Sequence, residues 1–420
     1  MLAVVAVWCF LSQFIVATWV LKDHPRFEAP NYSTTIAWGL LQHGQLAGGQ
    51  VKLQGPGADP PAVLRRYQLP GETLYITAAY RLLPASLVLY AHLPITVLLV
   101  ASVAWVASRI AGPPLGLATG VLASLQPFVV LHGPVWDDAF LAAALVWLIV
   151  AVLSSRLGSP NRSATYVLAM LFGAAAWAAL ARQEAQMILS LLASLAWILP
   201  ACRPLRRESV AVAGGVLAAL LAWGIRNRIV TGEFALGASR DGITLWEWNG
   251  PNARAVWDGN PEALSYDHEV MRSHWNRVAG RSENDINRYY LGQIREHVWQ
   301  HPFDTLTTSL SKLSLSLAGV AVQKPLTGAR NLVALGSNTL LILLALRGLS
   351  LLRRILHPAA RLIARWFFPL IALPVLAALL VGPVGLRYRI ALDGVLWIAA
   401  ALAALDLLDR FGWTRSLPAR

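Results

Sequence analysis

Long apolar runs recur along most of this chain, and most of them reach about twenty residues, enough for a helix to cross a bilayer. They lack the short alternating pattern that transmembrane barrel strands show. The pattern therefore predicts an all-α polytopic membrane protein with about ten transmembrane helices. The predicted spans lie near residues 1–21, 87–110, 113–132, 138–155, 164–181, 185–201, 209–225, 331–349, 366–385 and 388–408.

Two segments between the apolar runs, 22–86 and 226–330, are long and polar enough to be loops. The first contains an amphipathic stretch from Pro30 to Gly44, a connector rich in Gly and Pro, and "GETLYITAAYRLLP", which we expect to form a second surface helix. The chain thus divides into an N-terminal transmembrane module at 1–225, a loop region with an interfacial helix at 226–330, and C-terminal transmembrane helices at 331–420.

The segment "PFDTLTTSLSKLSLSLAGVAVQ", at 302–323, has two alternative interpretations. Its leucines recur at helical spacing, while Ser, Thr and Lys312 fill the other face, which is typical of a helix in the membrane interface. The alternative is an eleventh span. If the segment does not cross, all the short Arg-rich loops lie on one side, with 14 Lys and Arg against 3 Asp and Glu. Because such loops are normally cytoplasmic, we expect the non-crossing arrangement, with both long loops outside.

The composition agrees with a membrane protein and narrows the possible functions. Only 14% of the residues are charged, against about a quarter in soluble domains. The net charge of +13 falls mainly on the predicted cytoplasmic side, so it indicates orientation, and we expect no nucleic-acid partner. Cys9 and Cys202 have no disulfide or metal-site spacing. The first apolar run lacks a cleavage site, so we expect a retained span.

Charged residues cluster at the predicted outer ends of the spans, where ionisable groups are costly. For each, a purely structural role stays open: a solvated loop acid, a helix cap, a snorkelling end residue or a helical ion pair. Taken together, the arginines suit a phosphate, and a carboxylate opposite them suits a general base. The residues are Glu28, Asp137, Asp138, Arg182, Glu184, Arg226, Arg228, Arg387, Tyr388, Arg389 and Asp393.

Six short motifs follow one another in an order that resembles a known family. They are Glu28 with "YSTTIAWGLLQHG", Asp138 in "DAFLA", "GAAAWAALARQEA", "WGIRNRIVTGEF", "QHPFDTLTTSLSKL" and the "RYR" at 387–389. This order, spread over most of the chain, is similar to the GT-C class of integral membrane glycosyltransferases. The bacterial protein mannosyltransferase-like and aminoarabinose-transferase-like members, which use polyprenyl-phosphate sugars, are the most similar in pattern.

The resemblance implies that the protein transfers a sugar from a polyprenyl-phosphate donor to an extracytoplasmic glycan, lipid or protein, at the outer face of a bacterial inner membrane. Glu28 would be the general base, with nearby Asp23 as the alternative. The residues expected to bind the donor phosphate are Arg387, Arg389, Arg226 and Tyr388. Asp138 would orient the acceptor, bind a metal or hold an arginine, and Asp137, Arg182 and Glu184 would support the site.

Two further questions stay open at this point. The sequence indicates no certain cofactor, but the adjacent Asp137 and Asp138 could hold a divalent cation, Mg²⁺ or Mn²⁺, through their oxygen atoms. The competing functions are a lipid-linked-sugar flippase or transporter, and a non-enzymatic protein of envelope assembly. A flippase or transporter would require charge buried mid-span and broken helices, whereas the charged residues of this chain gather at one face beside a large outer loop region.

Overall fold

The computed structural model describes most of the chain, with gaps mainly in the two long loops. The described residues are 1–20, 37, 40–41, 69–88, 90–134, 137–157, 164–238, 241–251, 253, 269, 273–274, 276–278, 281–319, 329–355, 357–382 and 386–411. All secondary structure within these ranges is helical. The all-α prediction is therefore confirmed.

The principal helices account for most of the described residues. They are α1 Leu2–Ile15, α2 Gly71–Leu82, α3 Leu93–Ala111, α4 Pro113–Leu125, α5 Asp138–Arg156, α6 Thr165–Ala181, α7 Gln183–Ile198, α8 Arg206–Thr231, α9 Asp241–Asn249, α10 Glu283–Gln300, α11 Pro302–Ala318, α12 Ala329–Leu352, α13 Phe368–Val381 and α14 Ile390–Arg410.

Six helical segments in the described part of the chain are long and apolar enough to cross a membrane, so the chain has the character of a membrane protein. These segments are Leu93–Ala111, Asp138–Arg156, Pro200–Thr231, Leu332–Leu352, Pro358–Val381 and Arg387–Arg410. Three shorter apolar helices, at Leu2–Thr18, Pro113–Leu125 and Thr165–Ala181, coincide with other predicted spans. The total of ten spans and the assignment of sides stay predictions.

One predicted span, 113–132, is divided in the structure. Helix α4 has 13 residues and is thus only about 20 Å long, against roughly 30 Å of bilayer hydrocarbon. It ends at Gln126, whose side-chain oxygen accepts hydrogen bonds from the main-chain N–H groups of Phe128 and Val129 at 2.8 and 3.1 Å. Gln126 therefore caps a new helical turn that begins at Pro127.

Glycines allow α1 and α3 to pack closely on α4. A Cβ atom at Gly116 would lie 2.8 Å from the carbonyl oxygen of Ala104 on α3, and one at Gly120 would lie 2.5 Å from Val5 on α1. The small residues of the sequence "GLATG" at 116–120 therefore serve helix packing.

The predicted second surface helix forms as α2, and it packs against the turn between α6 and α7. Trp177 on α6 donates from its indole nitrogen to the carbonyl oxygen of Gly71 at 2.9 Å. A Cβ atom at Gly71 would lie 2.6 Å from the main-chain nitrogen of Ala181. Most of the preceding amphipathic stretch at 30–44 lies outside the described residues.

One end of the bundle brings together four chain segments that are far apart in sequence. They are the start of α5, the break between α6 and α7, the end of α13 and the turn Leu386–Arg389 that precedes α14. At the opposite end, the carboxylate of Asp406 on α14 forms ion pairs with Arg347 at 2.5 Å and with Arg410 at 3.1 Å. The two ends are thus both polar, but only the first gathers the predicted site residues.

Candidate functional site

Arg182 holds two carboxylates at the break between α6 and α7. Arg182 has extended backbone angles, φ −151° and ψ 147°, so the two helices separate here, and its side chain is only 14% exposed. It donates to both oxygens of Glu184, at 2.7 and 3.1 Å, and to Asp138 at 3.2 Å. The forked guanidinium matches this paired geometry. The structure therefore brings together three residues that the sequence predicted for one site.

The ion pair fixes the charge of Glu184. Burial works to raise the pKa of its carboxyl group, but the adjacent Arg182 charge and hydrogen bonds outweigh burial, and the pKa lies below its ordinary value. Glu184 is therefore ionised at neutral pH. Because Arg182 forms ion pairs with both Glu184 and Asp138, its positive charge is neutralised within the protein.

Tyr388 connects this cluster to a second arginine. The guanidinium carbon of Arg182 lies 4.6 Å from the centre of the Tyr388 ring, and that of Arg387 lies 4.8 Å from it. Arg387 also donates to the Tyr388 hydroxyl at 2.6 Å. Such cation–π contacts orient a guanidinium without neutralising it. Within the described part of the chain, Arg387 has no carboxylate at ion-pair distance, although the charges of Asp137 and Asp138 act on it.

A small, partly open cavity of about 20 Å³ is lined by these side chains. Its polar rim is formed by Arg182, Glu184, Arg387 and Tyr388. The rest of its wall is apolar, and small residues predominate there. The apolar lining residues are Ala139, Ala142, Ala143, Val146, Ala185, Ile188, Val375, Ile390 and Ala391. The cavity thus combines a cationic mouth with an apolar interior that extends along α5.

The turn that leads into α5 is held by buried polar contacts. His92 donates from Nδ1 to the carbonyl oxygen of Gly133 at 2.8 Å, and the Thr96 hydroxyl donates to the same oxygen at 2.7 Å. Because a carbonyl can only accept, this contact fixes the proton of the imidazole on Nδ1. Asp137 then caps α5, since its Oδ1 accepts the N–H of Ala139 at 2.8 Å. Asp138 is the first residue of this capped helix.

Arg389 is close to Arg387 in sequence but lies elsewhere. Its side chain is fully buried and forms an ion pair with the equally buried Asp393 at 2.7 Å. It also donates to the carbonyl oxygens of Ser316, at 3.2 Å, and Leu317, and to Asn338 Oδ1. The helical pair four residues apart, one of the alternatives from sequence, is therefore formed. The guanidinium of Arg389 is thus bound by residues of α11, α12 and α14. Its predicted role in phosphate binding stays a prediction.

The structure also contains a buried polar contact, between Lys312 and Asn249, that the sequence did not predict. Lys312 on α11 is fully buried and donates to Asn249 Oδ1 at 2.5 Å. Asn249 in turn donates to the carbonyl oxygen of Val381, the last residue of α13, at 2.7 Å. Burial lowers the pKa of Lys312 to about 7. The only signal in the sequence was one lysine in a row of Ser and Thr along a leucine-rich helix.

The remaining predicted residues are less closely connected to this site. Arg226 is 4.9 Å from the ring of Trp223 and donates to Asn227 Oδ1 at 3.1 Å, both on its own helix. It is not among the described residues that line the cavity. Arg228 donates to the carbonyl oxygen of Gly232 at the end of α8. Glu28 and Asp23 lie outside the described residues, so the assignment of either residue as the general base stays a prediction.

The metal prediction likewise stays untested. Among the described residues, no group of three or more His, Cys, Asp and Glu side chains could hold a metal ion together. Asp137 Oδ1 is used as a helix cap and Asp138 Oδ1 accepts from Arg182. A cation at this pair would therefore compete with both contacts.

Comparison of the chain with protein-family models gives no match, and comparison with curated proteins gives none either. The class that the structure supports is an all-helical membrane protein with a cationic, partly open cavity at one end of its bundle.

Proposed function

We propose that the protein is an integral membrane glycosyltransferase that transfers a sugar from a polyprenyl-phosphate donor to an extracytoplasmic acceptor. The resemblance of its motif order to the GT-C class motivates the reaction type. The geometry of the cavity supports the class of donor. The proposal places the reaction at the end of the bundle where α5, α7 and the Leu386–Arg389 turn meet.

The state of Arg387 is the observation on which the proposal depends most. Its guanidinium is held over Tyr388 at the cavity rim, and no described carboxylate lies at ion-pair distance. An arginine that is oriented but not neutralised can bind phosphate oxygens in a bidentate manner. Arg182 differs, because Glu184 and Asp138 already neutralise it. We therefore assign contact with the donor phosphate to Arg387.

The apolar wall of the cavity suits a lipid-linked phosphate better than a soluble one. Ala139, Ala142, Ala143 and Val146 follow one face of α5 away from the rim, over about 10 Å of helix. These four residues are almost fully buried, so the isoprenoid chain next to the phosphate would contact them only where the cavity opens. It would gain free energy there by leaving water.

The chemistry follows from the charge that develops during transfer. The acceptor hydroxyl attacks the anomeric carbon, its proton passes to the carboxylate of Glu28, and the bond to the phosphate oxygen breaks. The transition state is positive at the anomeric carbon, as in glycosidases, and negative charge grows on the leaving phosphate. Arg387 would stabilise that charge. A single displacement of this kind inverts the anomeric configuration.

The test uses purified full-length protein in lipid nanodiscs with a panel of radiolabelled polyprenyl-phosphate sugars. Wild type would be compared with Glu28→Gln, Arg387→Gln and the matched control Arg288→Gln, whose side chain lies on exposed α10. We expect transfer or hydrolysis of at least one donor by wild type and the control. Both site variants should lose most of this turnover while retaining their melting temperature.

Binding of sugar-free polyprenyl phosphate is measured in parallel, because it separates the competing functions. Tight binding that depends on Arg387, without turnover of any donor, would favour a flippase or transporter. Absence of both binding and turnover in folded protein would favour a structural role. Turnover that is unaffected by Glu28→Gln would show that Glu28 is not the base, with Asp23 as the next residue to test.

A further inference from the structure

Helix α11 has two different faces. Phe303, Leu306 and Leu310 lie on one side and are 81%, 55% and 52% exposed. Lys312 and Ser316 lie on the opposite side and are fully or almost fully buried. An amphipathic helix on a soluble protein would show the reverse arrangement, with its apolar face inside. The exposed row of Phe303, Leu306 and Leu310 is therefore expected to face an apolar environment.

The buried row anchors α11 to the helical bundle. Lys312 is bonded to Asn249, which holds the end of α13, and the carbonyl oxygens of Ser316 and Leu317 accept from Arg389. The last carbonyls of a helix lack partners within the helix and favour a cation. Arg389 supplies both the hydrogen-bond donors and the positive charge, so these polar groups of α11 have partners within the protein.

Beyond its first turn, where Asp304 is exposed, the exposed side of α11 also needs little water. Its hydroxyl groups are bonded to the helix's own carbonyls: Thr307 to Asp304 at 2.9 Å, and Ser314 to Ser311 at 2.8 Å. Such internal bonds allow Ser and Thr to face an apolar medium. The adjacent candidate span α12 shows the same kind of surface, with Leu340, Leu343 and Leu346 exposed by 60% or more.

The two ends of α11 lie in different surroundings. Its start follows α10, a helix rich in charged residues, and the exposed Trp299 and Phe303 lie at this junction. Tryptophan side chains such as that of Trp299 favour the headgroup level of a bilayer. Its other end meets Asn338 through Arg389. Asn338 is six residues inside the span Leu332–Leu352, or about 9 Å along the helix.

We propose that α11 is a membrane-embedded helix that descends from the headgroup level at Phe303 towards the acyl chains at Ser314, with its exposed row against lipid and its Lys312 row against the protein. The helix has 17 residues and is about 25 Å long, so a tilted helix that begins at the headgroup level ends within the roughly 30 Å of bilayer hydrocarbon. This inference does not depend on the proposed enzymatic function.

The test is electron paramagnetic resonance of spin labels attached to single introduced cysteines at 303, 306, 310 and 314 in lipid nanodiscs. Collisions with oxygen increase with depth in a bilayer, whereas collisions with a water-soluble nickel chelate decrease. Position 343 on α12 serves as the lipid reference and position 288 on α10 as the water reference. Cys9 and Cys202 are fully buried, and unmodified protein gives their background signal.

We expect the ratio of oxygen to nickel collisions to rise several-fold from 303 to 314 and to approach the value at 343. A ratio at 306, 310 and 314 equal to that at 288 would show a water-exposed helix and overturn the proposal. Equal ratios at 303 and 314 would show a helix lying flat, which overturns the descent. Low collision rates with both reagents would show that a protein partner or a second copy covers this row, which also overturns it.

Discussion

Arg387 and Arg389 are two residues apart on one turn, yet they lie in opposite environments. Arg387 is exposed at the rim of the cavity, where its guanidinium is stacked over Tyr388. Arg389 is completely buried and is bound by Asp393 and by α11 and α12. The turn is a 3₁₀ helix, in which residues two apart differ in direction by roughly 120°. One turn thus directs one arginine to the cavity and one to the protein interior.

This contrast separates two uses of charge near a membrane. An ionisable group there is costly unless it is paired or functional. Arg389 meets the first condition, because its partners satisfy it within the fold. We propose that Arg387 meets the second, because its orientation over Tyr388 is fixed and no carboxylate among the described residues lies at ion-pair distance from it. We therefore expect Arg389 to determine stability and Arg387 to determine activity.

The largest effect should follow from Arg389→Ala. This change leaves the carboxylate of Asp393 buried without its partner, which typically costs about 3–5 kcal/mol of unfolding free energy. Arg387→Ala should cost far less. The measurement is chemical unfolding of both variants in the same detergent. Equal losses of unfolding free energy for the two variants would show that Arg389 contributes no more to stability than Arg387 does.

A double substitution sharpens this prediction. Arg389→Met combined with Asp393→Leu removes both charges and retains most of the volume, so it should be more stable than Arg389→Ala. A double variant that is less stable than the single one would show that the contacts of Arg389 with Ser316, Leu317 and Asn338 matter more than the ion pair.

The second effect concerns Arg387 and rests on the proposed function. Arg387→Gln should lower the rate of sugar transfer by roughly 10²–10³-fold, the usual result of removing one donor that stabilises developing negative charge. Arg387→Lys should retain part of the rate, because it keeps the charge but not the fork. Donor turnover and melting temperature are measured together. A parallel loss of both would mean that Arg387 is structural.

The sequence predicted the helical class and the grouping of Asp138, Arg182, Glu184, Arg387 and Tyr388 well. The class follows from apolar runs, which are local patterns, and the grouping follows from the assignment of all these residues to one side of a bundle. The sequence did not separate Arg387 from Arg389. Their difference depends on the direction of each side chain in a 3₁₀ turn and on Asn338 and Ser316, which are distant in sequence.

The role of Lys312 was also beyond the sequence, for a related reason. Its position on the polar side of an amphipathic helix indicated exposure to water at the interface. In the structure that side faces Asn249 and the end of α13. Amphipathicity shows that a helix has two faces, but it does not show whether the polar face meets water or protein.

Lys312 gives the third prediction. Its pKa of about 7 in the folded protein lies below the ordinary value of about 10.4 that the unfolded chain has. Between these values the unfolded state binds more protons, so stability rises with pH. From pH 7.5 to 9.5 the gain should be roughly 2 kcal/mol. Unfolding curves of wild type and Lys312→Met over this range should differ by that amount in their pH dependence, whereas identical slopes would contradict the buried amine.

The smallest effect should come from Asp137, which lies beside the rim but acts as a helix cap. Asp137→Ala removes the acceptor for the N–H of Ala139 and should cost about 1 kcal/mol of stability, whereas Asp137→Asn retains an acceptor and should cost only a few tenths. Thermal unfolding with and without Mg²⁺ or Mn²⁺ tests this role. If either ion stabilises wild type and Asp137→Asn abolishes the effect, the pair with Asp138 holds a cation, and Asp137 belongs to the site in the same sense as Arg387.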